Sequence, residues 1–300
     1  MTKRIPKHRP GQLLAHGLLS LCLSLGAAMA LAQSPGFEAA PQPLVIGDSL
    51  LLRSSVLKET RRINVYLPDG YAQASPQAAQ RWPVLYMPDG GLAEDFLHIA
   101  GLLQVSVANG TMRPFILVGI ENTERRRDLT GPSVDPRDLK IAPRVGGSAA
   151  FRQFIREELK PAIQARYRTT TESAVIGESL AGLFVVETWV LEPTLFERYI
   201  AIDPSLWWNH EGLKTQAAET LKAGKSGMPG QTPPAFLFMA ASREPSIQPT
   251  VARFAELLRS LPAERTGPWQ HLDMPQETHA SIYHPAALLA LRQMFKPTPP

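Results

Sequence analysis

The sequence predicts an α/β fold: a mostly parallel central sheet flanked by helices, with antiparallel strands on its N-terminal side. Three observations carry that prediction. Short, continuous apolar runs recur along the chain, each followed by helical spacing or a polar loop, as buried parallel strands require. There are no repeats and no charge blocks, so strands and helices simply alternate. Finally, 300 residues with 44% hydrophobic content are enough for one large core rather than two small ones.

The first 32 residues stand apart from that pattern. "MTKRIPKHRPGQ" is basic, residues 13–32 are mostly apolar, and Ala30-Leu31-Ala32 offers small residues for cleavage, which together predict a secretory signal peptide. The apolar stretch approaches the roughly 20 residues that span a bilayer, so an uncleaved anchor is the alternative. Removing residues 1–32 takes away Lys3, Arg4, Lys7 and Arg9 and no acidic residue, which balances the mature charge. The alkaline pI of about 9.3 therefore belongs to the leader and gives no footprint for nucleic acid or for a membrane surface. Cys22, the only cysteine, lies inside the leader, which excludes a disulfide, thiol chemistry or a cysteine-based zinc site from the mature protein.

The run "QSPGFEAAPQP" at 33–43 reads as a linker, and residues 44–300 as one domain. Residues 44–57 and "RRINVYLP" (61–68) form a predicted antiparallel pair joined by "KET". Parallel strands follow at 82–90, 115–122, 173–179, 198–205 and 235–241. Between them, Phe151, Phe154, Ile155, Leu159 and Ile163 share one face of an amphipathic helix over 151–167.

Ligands of such sheets bind at the carboxyl ends of the strands. There the sequence places "PDGG", "ENTERRRDLTGP", "GESLAG", "DPSLWWN" and "ASRE", with "PQETHASIYH" near the end. In "AVIGESLAGLFVVE" (174–187) an apolar run enters a Gly-Glu-Ser turn and leaves with a different spacing. The serine is either a helix cap or a nucleophile on a sharp strand-to-helix turn. A serine hydroxyl needs a base to remove its proton, and the base needs a third group to hold its tautomer. Ser179, Glu244 and His279 occur in the order that such turns use, so Ser179 is the expected nucleophile, His279 the base and Glu244 the acid. His98 lies in a predicted helix, His271 in a strand-like run, and His210 and His284 near helix starts, where surface or capping roles are the default. For the oxyanion, the N–H of Leu180 and that of Gly91 are the expected donors; an ordinary glycine turn is the other reading of "DGG".

"RRINVYLPDGY", "PVLYMPDGG", "ILVGIENTERRRDLTG", "GESLAGLFVVETWVLEPTLFERYIAIDPSLWWN" and "ETHASIYHPAALLALRQMF" resemble the putative esterase family of α/β hydrolases. That family includes enterochelin-esterase-like and IroE-type trilactone hydrolases, feruloyl esterases, S-formylglutathione hydrolases and mycolyltransferases. The likeness covers about residues 44–296, and "RRDLTG" with "PSLWWN" points to the enterochelin-esterase-like branch. The resemblance implies an α/β-hydrolase fold and a serine hydrolase of carboxylic esters that needs no cofactor and no metal. It also puts Glu244 at the family's acid position.

The chain departs from the family's G-H-S-L-G-G elbow at two places, Glu178 for His and Ala181 for Gly. A carboxylate at 178 would repel anionic substrates unless it is simply solvated. Where relatives commonly have Ser, this chain has Asp203, so Asp203 as the acid, or a Ser–His dyad, stays open beside Glu244. In the Arg125–Arg127 run, guanidinium groups pair bidentately with planar anions, and Arg127 is the expected substrate contact, against a solvated face as the alternative. Trp207 and Trp208 are candidate walls for an aromatic or cyclic acyl group, or plain core residues. An acyltransferase using the same acyl-enzyme, and a secreted binding protein that keeps the fold without turnover, are the rival functions. The oligomeric state and the physiological ester (siderophore lactone, feruloyl ester or acetylated sugar) are not readable from the sequence.

Overall fold

A computed structural model describes residues 41–72, 80–223 and 235–297. The chain divides into two units, residues 1–44 and 45–300. The expected leader with Cys22 and nearly all of the expected linker lie outside the described residues, and everything below concerns the second unit.

Eight strands alternate with helices in the order β1 (Asp48–Ser54), β2 (Glu59–Tyr66), β3 (Trp82–Pro88), α1 (Phe96–Ala108), β4 (Ile116–Ile120), α2 (Arg125–Leu129), α3 (Pro136–Ile141), α4 (Ser148–Phe154), α5 (Lys160–Arg166), β5 (Thr169–Glu178), α6 (Leu180–Leu191), β6 (Arg198–Ile202), α7 (Trp208–Lys222), β7 (Phe236–Ala241), α8 (Gln248–Arg259), α9 (Ala263–Thr266), β8 (Trp269–Asp273) and α10 (Tyr283–Met294). They form one sheet ordered β1-β2-β4-β3-β5-β6-β7-β8. The β1/β2 and β2/β4 pairs are antiparallel and the remaining pairs parallel.

Burial explains which runs became which strands. Every residue of β3 and β4 is buried, as expected for strands covered by helices on both faces. In β1, exposed and half-buried positions alternate, which suits an edge strand with one wet face. The β1–β2 turn falls at residues 55–58 rather than in "KET": Lys58 takes a positive φ of 57°, while Glu59 and Thr60 already pair with Ser54 and Arg53. The predicted helix over 151–167 is helical from Phe151 to Arg166, with Tyr167 already extended, and a π turn at Ile155–Leu159 joins α4 to α5. Pro161 has no N–H for an intrahelical bond, and the wider turn accommodates that missing donor. Phe151, Phe154, Ile155, Leu159 and Ile163 are all buried against the sheet, each aromatic contributing about 1.5–3 kcal/mol through removal from water.

Two cores lie on opposite faces of the sheet. One joins α4, α5, α6, α7 and α8; the other joins α1 and α10, where Ala286, Ala287 and Ala290 let α10 lie close to the strands. From Leu180 to Val190, every residue of α6 is buried. This burial fixes the helix that follows Ser179 on all sides, so the turn before it cannot drift.

Candidate active site

Small residues make that turn possible. A Cβ on Gly177 would sit 2.6 Å from the carbonyl carbon of Ala181, and one on Gly182 would sit 3.0 Å from the Ile202 carbonyl oxygen. With both positions bare, β5 runs directly into α6. Ala181 therefore fits because position 177 carries no side chain. Ser179 sits between them at φ 60°, ψ −119°, a conformation that L residues rarely occupy and that costs about 1–3 kcal/mol when enforced by its surroundings. It stands at the cap position of α6, but its side chain makes no capping hydrogen bond.

The hydroxyl faces His279 instead, with Oγ 3.1 Å from Nε2. On the other side of the ring, Nδ1 lies 2.8 Å from Asp203 Oδ2. Asp203 ends the β6 run at a positive φ of 45° and is fully buried. Its carboxylate accepts the Ser242 N–H at 2.6 Å and the Ser242 hydroxyl at 2.7 Å. The Asp203 hydrogen bond, followed by the nearby Glu178 charge, raises the His279 imidazole above its usual range despite the opposing effect of partial burial. Ser205 adds a second hydroxyl 3.4 Å from Ser179 Oγ, and its N–H donates to the Ser179 carbonyl.

Glu244 does not stand against His279, which corrects the expectation for the acid. Its Oε1 accepts from Ser246 at 3.3 Å, its N–H donates to Ser242 Oγ, and its carbonyl accepts from the Ile247 and Gln248 amides at the start of α8. The reason lies in strand order. β6 is the direct neighbour of β5, and Ile202 pairs with Glu178, so the residue after Ile202 emerges beside the serine turn. Glu244 lies one strand further away and has turned into the next helix. The readable signal was a carboxylate directly after the apolar run 199–202 of β6, with a serine after β7 to satisfy it.

Arg127 is the second correction. It binds Asp128 through Nε at 2.7 Å and Glu59 through Nη2 at 2.9 Å, and so is occupied within the protein. Those two acids also pair with Arg61, which is fully buried. Arg125, from the same run, turns toward the site and grips Asp89 with two hydrogen bonds of 2.7 Å each. Around it gather Asp95, Glu94 and Asn122, the last donating to both Asp89 and Glu94. Burial, then the neighbouring Asp89, pushes the Asp95 carboxyl up to about 6. Gly91 lies on this loop, and its N–H donates to Glu94 Oε2 at 2.7 Å. Leu180 opens α6, where first-turn amides have no intrahelical acceptor.

Trp208 is buried and donates from its indole to the Gly131 carbonyl at 3.1 Å. With Leu183, Gly131, Pro132 and Glu187 it lines a cavity of about 390 Å³ that begins one turn along α6 from Ser179. Trp207 packs against Trp208 at a ring separation of 5.9 Å and does not line that cavity. Beyond them, Asn209, His210 and Glu211 run through three successive left-handed conformations, unforeseen from the sequence. Asn209 is held there by a bond to the Asp138 carboxylate and one from the Val134 amide. His98 and His284 meet at 3.0 Å between α1 and α10, away from Ser179's partners. Among the described residues, no group of three or more His, Cys, Asp or Glu side chains forms a metal-binding cluster.

The sheet order and the left-handed serine between β5 and α6 define an α/β hydrolase. The family described as "Putative esterase" matches residues 54–232, and the chain belongs to that family. Among curated proteins it is similar to the ferri-bacillibactin esterase BesA of Bacillus subtilis, 32% identical over 150 residues, which are 45% of this chain and 52% of that one. The chain thus spans about half the length of that relative. Among solved structures it resembles an IroE-like serine hydrolase from Shewanella oneidensis at 30% identity and TM-score 0.69, covering 83% of this chain and 80% of that one. The siderophore hydrolase EstB from Aspergillus nidulans shares the fold, with 20% identity, TM-score 0.73, and coverage of 88% and 100%.

Proposed function

We propose that this protein is an exported serine esterase that hydrolyses a siderophore ester through an acyl-enzyme on Ser179. The observation that carries the reading is the continuous hydrogen-bonded series from Ser179 Oγ to His279 to the buried carboxylate of Asp203. His279 Nε2 takes the hydroxyl proton as Oγ attacks the ester carbonyl, and Asp203 steadies the imidazolium that results. The protonated ring then returns its proton to the departing alcohol oxygen, leaving the acyl group on Ser179. Water repeats the cycle, giving up a proton to Nε2 while its oxygen displaces Ser179 from the acyl carbon. Leu180 N–H is the oxyanion donor in this scheme; Gly91 N–H joins it when Glu94 yields that amide.

The substrate class draws support from relatives named as siderophore esterases, and export from the basic and apolar leader. A fluorophosphonate probe should label Ser179, and a purified panel of siderophore lactone, feruloyl ester and acetylated sugar should show the lactone turned over fastest. Preference for either other ester would replace the substrate assignment. An unlabelled, folded protein would leave the non-catalytic binding reading in its place. Added alcohol acceptors that outcompete water for the acyl group would make it an acyltransferase.

A further inference from the structure

Glu178 is the last residue of β5, and its side chain is only 16% exposed. Its Oε1 lies 3.3 Å from His279 Nδ1, the same nitrogen that Asp203 Oδ2 approaches to 2.8 Å. Two carboxylates therefore converge on one ring nitrogen from the ends of neighbouring strands. They are satisfied differently. Asp203 also receives both donors of Ser242, whereas His279 is the only ion-pair partner of Glu178 among the described residues. Arg125 faces Glu178 from α2, but both its bonds to Asp89 commit it elsewhere. Asp95 before α1, Tyr283 on α10 and Asp203 itself complete the titratable surroundings. A buried carboxylate without hydrogen-bond donors must be paired or neutral, so the state of Glu178 depends on His279.

We propose that Glu178 is a positioning residue for His279, a second carboxylate that shares the Nδ1–H with Asp203 and holds it when Asp203 is removed. The proposal rests on the hydrolase reading above. When His279 takes the Ser179 proton, Nδ1–H points between two oxygens rather than at one. The ring is thereby held from two directions, and the imidazolium gains a second anion beside it. Burial pushes the Glu178 carboxyl up to about 7, with His279 and then Arg125 drawing it back.

The test uses the purified full chain with p-nitrophenyl acetate, comparing Glu178→Gln, Asp203→Asn and the double variant by kcat, KM and kcat–pH profile, with a melting curve for each. Glu178→Gln removes an anion beside the imidazolium, so the acid limb of kcat should move to lower pH while KM stays close to the parent and the variant still melts cooperatively. Asp203→Asn should retain a residual rate, and the double variant should lose at least a further tenfold. An acid limb that coincides with the parent, or a double variant no slower than Asp203→Asn, overturns the proposal. If Asp203→Asn does not fold, the acid limb of Glu178→Gln decides alone. Fluorophosphonate labelling of the parent separates the two ideas: a labelled parent with an unmoved limb sinks only the role of Glu178, whereas an unlabelled, folded parent removes the hydrolase reading and this proposal with it.

Discussion

Ser242 gives both its N–H and its hydroxyl to the carboxylate of Asp203, at 2.6 and 2.7 Å. That double donation satisfies the carboxylate of a fully buried aspartate while its Oδ2 also meets His279 Nδ1, so burial leaves no oxygen of Asp203 without a partner. Ser242, not Glu244, is therefore the contribution of the segment after β7 to the site.

The two acids are expected to separate clearly by mutation. Asp203→Asn should lower kcat by up to about 10⁴, the full fall that accompanies the wrong histidine tautomer in a comparable triad, and by less to the extent that Glu178 keeps Nδ1 protonated. Glu244→Gln should leave kcat within about twofold, because among the described residues its carboxylate accepts a hydrogen bond only from Ser246. Steady-state kinetics on a p-nitrophenyl ester check both, and a larger loss from Glu244→Gln would return the acid to the later strand.

Ser179 should show its role by uncoupling activity from stability. Ser179→Ala should abolish turnover and fluorophosphonate labelling while melting near the parent, since the side chain caps nothing. Ser179→Gly should melt higher than Ser179→Ala. Glycine accepts φ 60° freely, and relief of about 1–3 kcal/mol of strain outweighs its entropic cost of about 0.5–1 kcal/mol. Equal melting of the two variants would mean the turn holds no such strain.

The arginines divide into structural and peripheral ones. Arg61→Ala should cost about 3–5 kcal/mol, because it leaves Asp128 buried with less of its positive surroundings. Arg127→Ala, more exposed, should cost about 1 kcal/mol or less and leave KM unchanged. Denaturant melts and KM values decide; a raised KM for Arg127→Ala would restore its place at the substrate.

Glu178 also gives stability a pH dependence of definite sign. Its folded carboxyl titrates at about 7 against an ordinary value of 4.5, so between those pH values the native state binds the extra proton. Its contribution is complete below about 4.5 and is lost as pH rises through 7. At about 1.4 kcal/mol per unit the loss is at most about 3.5 kcal/mol. Glu178→Gln cannot ionise, so its melting temperature should gain on the parent from pH 5 to about pH 7 and level off by pH 8. A constant difference across that range would contradict the buried carboxylate.

Export is checked most directly at the N-terminus. Protein recovered from the exported fraction should begin at Gln33, and retention of residues 1–32 would mean an anchor in place of a cleaved leader.

Much of this was legible before any coordinates, because the parallel strands are continuous apolar runs and burial on both faces leaves such runs little choice. Ser179 stands out because it breaks between two apolar runs, and His279 because it sits on a polar loop just before the last helix. The acid was harder. Asp203 and Glu244 both follow strands, and only the lateral order of β5, β6 and β7, a non-local property, decides which carboxylate reaches the ring. Arg127 failed for want of its partner, since Glu59 lies 68 positions away on β2. The left-handed turn at Asn209–Glu211 has no local signature, as it is maintained by Asp138 and Val134 rather than by glycine.

Ser179 and Asp203 follow the carboxyl ends of the two strands of a single strand-helix-strand unit, whereas His279 arrives from the final loop before α10. Two of the three groups thus travel together on the best-buried part of the sheet, and the third hangs on the edge behind β8, whose residues are only partly covered. Local opening at that edge would detach the imidazole and leave the other two in place. Gentle heating would then silence the protein reversibly, and limited proteolysis near the carboxyl terminus would silence it for good, while the central sheet still gave a native spectrum.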